Sequence, residues 1–112
     1  MVARSLGDAQ NQPYVTSEPY VAHFEMSDTD EFLVLGCDGI WDVLTDDEAI
    51  DLVRDLTRLQ HPAPAVAVRD IAFAAGSTDN LSCVVLYLKN PATLAKELNL
   101  NDSEKKRKKK RK

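Results

Sequence analysis

An α+β fold is the class this sequence predicts, and three observations predict it. Two short, almost wholly apolar runs, 31–37 (EFLVLGC) and 81–88 (LSCVVLYL), have the composition of buried strands. Between them lie two stretches whose apolar residues recur at helical spacing. The order of elements, counting an extended stretch near the start, is strand, strand, helix, helix, strand, which is not the strict alternation of a parallel α/β fold.

Taken in order, residues 1–13 are turn-rich, with Gly7, Asp8, Asn11 and Pro13. Residues 14–26 are extended in character: Tyr20, Ala22, Phe24 and Met26 recur with a period of two, and Pro19 limits how far that strand can run. A polar turn, Ser27 to Asp30, leads into 31–37, whose unbroken apolar run predicts a strand buried on both faces. Asp38-Gly39 ends it. Residues 45–60 carry the clearest helix signal: Thr45 with Glu48 three residues on makes a capping box. Asp46, Asp47 and Glu48 face the positive end of the helix dipole. Ala49, Leu52, Val53, Leu56 and Leu59 fall on one face. His61-Pro62-Ala63-Pro64 stops this helix and starts a second over 65–75, with Val68, Ile71, Ala72 and Ala75 on one face and Gly76 as its C-terminal stop. The last strand, 81–88, precedes a short amphipathic helix or linker over 91–104 and a basic tail, 105–112, expected to be disordered.

The 112 residues suffice for one small domain, and 44% are apolar, so a core is possible. Charge is divided unevenly. Residues 1–104 hold all eighteen acidic residues and six basic ones, a net of −12, and the final eight residues are all Lys or Arg. An acidic body repels phosphates, which disfavours a nucleic-acid-binding surface. It suits a domain that gathers divalent cations, although a solvated acidic face reads equally from charge alone. The first twenty residues lack the apolar stretch of a secretory signal, and no run reaches the ~18 apolar residues of a membrane span. Cys37 and Cys83 lie within apolar runs, as buried free thiols of a reducing compartment do, and their spacing is not that of a zinc site.

Two acidic positions share one local pattern. Asp38 directly follows an apolar strand and precedes Gly39; Asp79 lies between a helix stop and an apolar strand and precedes Asn80. Strand ends of one sheet converge on a common edge, so the two carboxylates could face one ion, and hard oxygen donors favour Mg²⁺ or Mn²⁺ over zinc. Asp-Gly and Asp-Asn are also ordinary turn pairs, and on composition and spacing alone the reading ends at an α+β domain.

The stretches ARSLGD (3–8), FLVLGCDGIWDVLTDDEA (32–49) and AAGSTDNLSCVVLYL (74–88), at these separations, resemble the C-terminal half of the type 2C, metal-dependent protein serine/threonine phosphatases. The resemblance covers roughly residues 3–89, with 1–90 as the phosphatase-like part; Ala3 stands where the family usually has Ser. It implies part of a four-layer sandwich, two antiparallel sheets flanked by helices, whose strands here would be drawn from both sheets and lose their partners. It implies that Asp38 and Asp79 ligate a binuclear Mg²⁺/Mn²⁺ centre, with Asp42 at a weaker third site. Gly39 would allow a sharp turn beside the metal, Asn80 would hold the Asp79 loop, and Trp41 would anchor the core. Arg4 and Asp8 read as turn-fixing residues, and His23 and His61 as structural or exposed.

The mechanism so implied is hydrolysis of phosphoserine and phosphothreonine by water activated between two metal ions about 3.5–4 Å apart. Family domains are roughly twice this length. The DGHGG-type segment, a further acidic ligand, the phosphate-binding arginine and the general-acid histidine have no counterpart here. The expectation is a truncated or split domain with very weak activity or none. A non-catalytic phosphatase-like binding module is the alternative, and a basic-tailed nucleic-acid binder ranks third. Lys105–Lys112 resembles a nuclear-targeting run that could engage import receptors or acidic surfaces, or fold back on the acidic body; the expected location is cytoplasmic and/or nuclear.

Overall fold

The computed structural model describes residues 2–111. Its elements are β1 (Phe32–Gly36), α1 (Asp38–Trp41), α2 (Asp46–Arg58), α3 (Pro64–Ala74), β2 (Cys83–Tyr87) and α4 (Pro91–Lys110), after a short 3-10 turn at Ala9–Asn11. The α+β class therefore holds. The sheet has two strands, and no second sheet is present among the described residues, so the sandwich expected from the resemblance is not seen here.

β1 and β2 pair antiparallel with each other, from Phe32↔Tyr87 to Gly36↔Cys83. This corrects the expectation that these strands lose their partners: the two apolar runs are ladder neighbours. It also places the end of β1 and the start of β2, and hence the segments after Gly36 and before Cys83, at one edge of the sheet.

Burial alternates along both strands. Phe32, Val34, Cys83, Val85 and Tyr87 face the helices, whereas Leu33, Leu35, Val84 and Leu86 are about half exposed on the other face. The sequence expectation of burial on both faces is thus met on one only. An apolar run shows that a strand can be buried twice over; it does not supply the second layer.

Helices cover the inner face. α3 packs against β2, and α2 packs against α3 and α4. The core joins Phe32, Ile40, Val53, Val68, Ala72, Leu94 and Leu98. α2 begins with the predicted capping box: Glu48 N–H donates to Thr45 Oγ1 (3.2 Å), and Thr45 N–H donates to Glu48 Oε2 (2.9 Å). Its buried positions are Ala49, Val53 and Thr57. Leu59 caps the helix and is exposed, so it leaves the apolar face assigned to it. On α3, Val68 and Ala72 are buried while Ile71 and Ala75 are not. Gly76, at φ +98°, makes the predicted left-handed stop.

Polar ties fix α2 to its neighbours. Thr57 Oγ1 lies 2.7 Å from both Val53 O and Tyr87 Oη, so it can return a bond to its own helix while reaching β2. Arg54 Nε donates to Glu31 (2.8 Å), and this partner raises the arginine's already high pKa. Arg58 meets Asp55 within α2 and Asp102 of α4; the second is a charge contact at 3.1 Å without hydrogen-bond alignment.

Two expectations at the ends of the chain are corrected. Residues 14–26 form no strand: their backbone hydrogen bonds to other described residues reach only the first turn, through the isolated Arg4↔Thr16 bridge and Val15 N–H to Asn11 O, and Tyr14, Tyr20, Phe24 and Met26 are exposed. A period of two stabilises a strand only where a neighbour completes the ladder, and none lies beside this segment. At the other end, the short helix and disordered tail are one continuous helix, α4, through Lys110. Asn90 caps its start through Oδ1, Pro91 opens it, and no Gly or Pro follows. Lys and Arg are good helix formers, and their charges suit the negative end of the dipole.

Candidate metal-binding edge

β1 and β2 end at the same sheet edge, and the segments leaving it there carry Asp38 and Asp79. Asp38 opens the single turn of α1; Asp79 lies in the loop between α3 and β2. Both are exposed, as are Asn80 and Asp42.

The two loops are in direct contact. A Cβ added to Gly39 would lie 2.3 Å from Asn80 O and 3.2 Å from Asp79 Cβ. Gly39 is buried within α1, and it is glycine because another backbone occupies its side-chain space; a sharp turn is not the reason. That revises the role expected from the sequence, and it puts the residue after Asp38 against the backbone that carries Asp79.

Three side-chain contacts stitch these loops together. Ser77 Oγ, almost fully buried, donates to Gly39 O (2.7 Å). Cys37 Sγ donates to Asn80 O (3.0 Å) and accepts from Ser82 N–H (3.2 Å). Backbone support comes from Cys37 N–H to Ser82 O (3.1 Å). Both cysteines are free, as expected, though only partly buried. Burial, and secondarily the Cys37 sulfur, hold the Cys83 thiol above its ordinary value of 9.0.

Asp79 Oδ1 accepts the N–H of Asn80 (2.7 Å). The Asp79 carboxylate therefore orders its own loop, and Asn80 contributes its main chain; the side-chain role expected for Asn80 is not observed among the described hydrogen bonds. No hydrogen bond or ion pair among the described residues engages the Asp38 carboxylate or Asp79 Oδ2. Two hard oxygen donors thus stand on touching loops, unsatisfied by protein. That fits part of the oxygen shell of Mg²⁺ or Mn²⁺, which takes further ligands from water. It is not a whole site: among the described residues no three His, Cys, Asp or Glu side chains are grouped to hold one ion. Asp42 caps α1 one turn beyond Asp38 and does not complete such a group.

The other singled-out residues are placed as follows. Trp41 packs its ring over Gly36 and donates from Nε1 to Gly36 O (2.9 Å), yet remains about one-third exposed, so it buttresses the end of β1 rather than filling the core. Asp8, with φ +51°, accepts from Asn11 Nδ2 (2.7 Å) and fixes the first turn. Arg4 forms the bridge to Thr16. His23 and His61 are exposed, and His61 Nδ1 accepts the N–H of Ala63. The sequence reading did not single out Ser77, and it took Cys37 for a buried thiol. A hydroxyl and a thiol that bond main-chain atoms about forty residues away leave no local pattern to read.

Comparison with known proteins gives a consistent result. The family model described as Protein phosphatase 2C matches residues 1–81. The chain is 36% identical over 104 residues to a PP2C-like domain-containing protein of Acanthamoeba polyphaga mimivirus, covering 77% of this chain and 58% of that one. It is 40% identical over 87 residues to Protein phosphatase 2C homolog 1 of Saccharomyces cerevisiae, covering 78% of this chain and 30% of that one. Among solved structures it resembles a C. elegans sex determining protein, with a TM-score of 0.77 and 28% identity, across 86% of this chain and 24% of that one. The chain thus spans between 24% and 58% of the length of these relatives.

Proposed function

This chain belongs to the protein phosphatase 2C family, and on that premise we propose that it is the C-terminal part of a metal-dependent protein serine/threonine phosphatase, contributing Asp38 and Asp79 to a binuclear Mg²⁺/Mn²⁺ centre. The observation that carries the reading is the contact between the two loops, which brings together two aspartates 41 positions apart in sequence. Asp42 is assigned to a weaker, outer cation position on the same short turn.

Bound ions would supply Lewis acidity and activate water for attack on a phosphoserine or phosphothreonine phosphorus. The chain's own residues present the two carboxylates, hold Asp79 Oδ1 by an amide and keep the loops pressed together. The remaining ligands and the phosphate-binding cation belong to the part of the domain that the relatives' greater length represents, so weak hydrolysis or none is expected of these residues alone. The basic run Lys105–Lys112 supports nuclear targeting through import receptors, beside a cytoplasmic location, or attachment to acidic surfaces. No helix among the described residues is long and apolar enough to cross a membrane.

The shortage of donors favours a second reading, a non-catalytic phosphatase-like binding module. Hydrolysis of a phosphothreonine peptide with Mn²⁺, in wild type, Asp38→Asn and Asp79→Asn, separates the two. Metal-dependent release that either substitution abolishes upholds the phosphatase. Equal rates in all three leave the binding module; where none of the three hydrolyses the peptide, Mn²⁺ binding that both substitutions weaken upholds the metal centre, and binding that neither changes leaves the module.

A further inference from the structure

The contacts between the two aspartate loops are reciprocal. Ser77, two residues before Asp79, bonds the carbonyl of Gly39, the residue after Asp38. Cys37, the residue before Asp38, bonds the carbonyl of Asn80, the residue after Asp79. Each aspartate is therefore flanked on one side by a side-chain donor and on the other by a main-chain acceptor, and each donor reaches the acceptor beside the other aspartate. Gly39 allows the close approach that this arrangement needs.

We propose that Cys37 and Ser77 are positioning residues: two crossed latches that fix the spacing of Asp38 and Asp79. The inference rests on the metal-site reading only for its functional consequence; the latching itself concerns the metal-free chain. The thiol has a double task. It donates S–H to Asn80 O and accepts the N–H of Ser82, so one atom fastens both the loop and the approach to β2. The hydroxyl of Ser77 is the buried latch, closed off from competing water. Outer groups that orient ligands in this way typically change metal affinity by about 10–100-fold when removed. Hydroxyl and thiol differ in reach, so Cys37→Ser should restore part of what Cys37→Ala loses.

The experiment uses the full chain with three variants, Cys37→Ala, Cys37→Ser and Ser77→Ala, and takes two readouts beside the melting temperature. Amide hydrogen exchange without metal reports the latch directly. Cys37→Ala should speed exchange at Ser82 by about tenfold, the scale of one lost hydrogen bond, while Leu35 and Val84, whose amides bond across the ladder, stay protected. Mn²⁺ titration reports the consequence: affinity should fall by about tenfold or more in Cys37→Ala and Ser77→Ala, and recover in part in Cys37→Ser. Unchanged exchange at Ser82, or affinity lost only in step with a uniform loss of protection through the ladder, would overturn the inference, as would a Cys37→Ser variant no better than Cys37→Ala. Wild type that binds no Mn²⁺ would defeat the metal reading while the exchange data still decided the latch.

Discussion

Gly39 shows how closely this site is built. Its missing Cβ leaves room for Asn80 O, and the nearest obstruction to any side chain is backbone, which cannot swing aside as a side-chain tip would. Gly39→Ala should therefore push the two loops apart, destabilise the fold by about 1–3 kcal/mol in urea titration and weaken Mn²⁺ binding. A variant with wild-type stability and affinity would show the contact to be looser than described. Cys83 supplies a pH dependence whose sign is fixed. Its thiol is held above 9.0 by burial and then by Cys37. The folded state keeps that proton where the unfolded chain has lost it, so the stabilisation is complete below pH 9.0 and is lost as pH rises through the window above. The melting temperature should fall more steeply above pH 9.0 in wild type than in Cys83→Val; parallel slopes would assign the loss to other groups. At this scale the placement of Asp38 and Asp79 beside strand ends was legible, because each sits at the break between an apolar run and a turn. Ser77 and the bonding role of Cys37 were not, because their partners are main-chain atoms that only the tertiary fold brings near.

Among the elements, α2 was read from sequence almost to its boundaries, because its capping box and apolar face are local properties. The stretch 14–26 was misread as a strand, because a strand depends on a neighbour that its own residues cannot specify. α4 departs in the other direction: a run of like charges predicts disorder, yet no residue after Pro91 breaks a helix, and the described chain is helical through Lys110. The helix is anchored by Leu94, Ala95 and Leu98 and by the Arg58–Asp102 charge contact, and beyond Ser103 every described residue is exposed. Its last turns stack like charges four apart, Lys105 on Lys109 and Lys106 on Lys110, which costs about 0.2–0.5 kcal/mol per pair until salt screens it. Helical ellipticity at 222 nm should therefore rise with NaCl in the full chain, and lose that response when 105–112 are removed. A salt response that persists after removal would place its origin in the acidic body.

For the molecule as a whole, shape and exposure agree. The radius of gyration is 18.3 Å, against about 13 Å for a compact domain of 100 residues. The excess follows from the extended first thirty residues and the overhang of α4. Helices cover one face of the two-stranded sheet, and Leu33, Leu35, Val84 and Leu86 stand open on the other. The class of the fold was legible in the sequence; the pairing of the two apolar runs with each other was not, since neither run names its ladder partner. The number of layers was not, since apolar content states what a strand can bury and not what lies upon it. What the whole arrangement achieves is to carry two distant aspartates to one edge. Mn²⁺-induced broadening of backbone amide resonances in the ¹⁵N-labelled chain tests that claim most directly. Amides of 37–42 and 77–81 should broaden together at the same Mn²⁺ concentration, and Asp79→Asn should remove the broadening from both loops. Broadening confined to one loop, or centred on the acidic start of α2 at 46–51 and unchanged by Asp79→Asn, would contradict it.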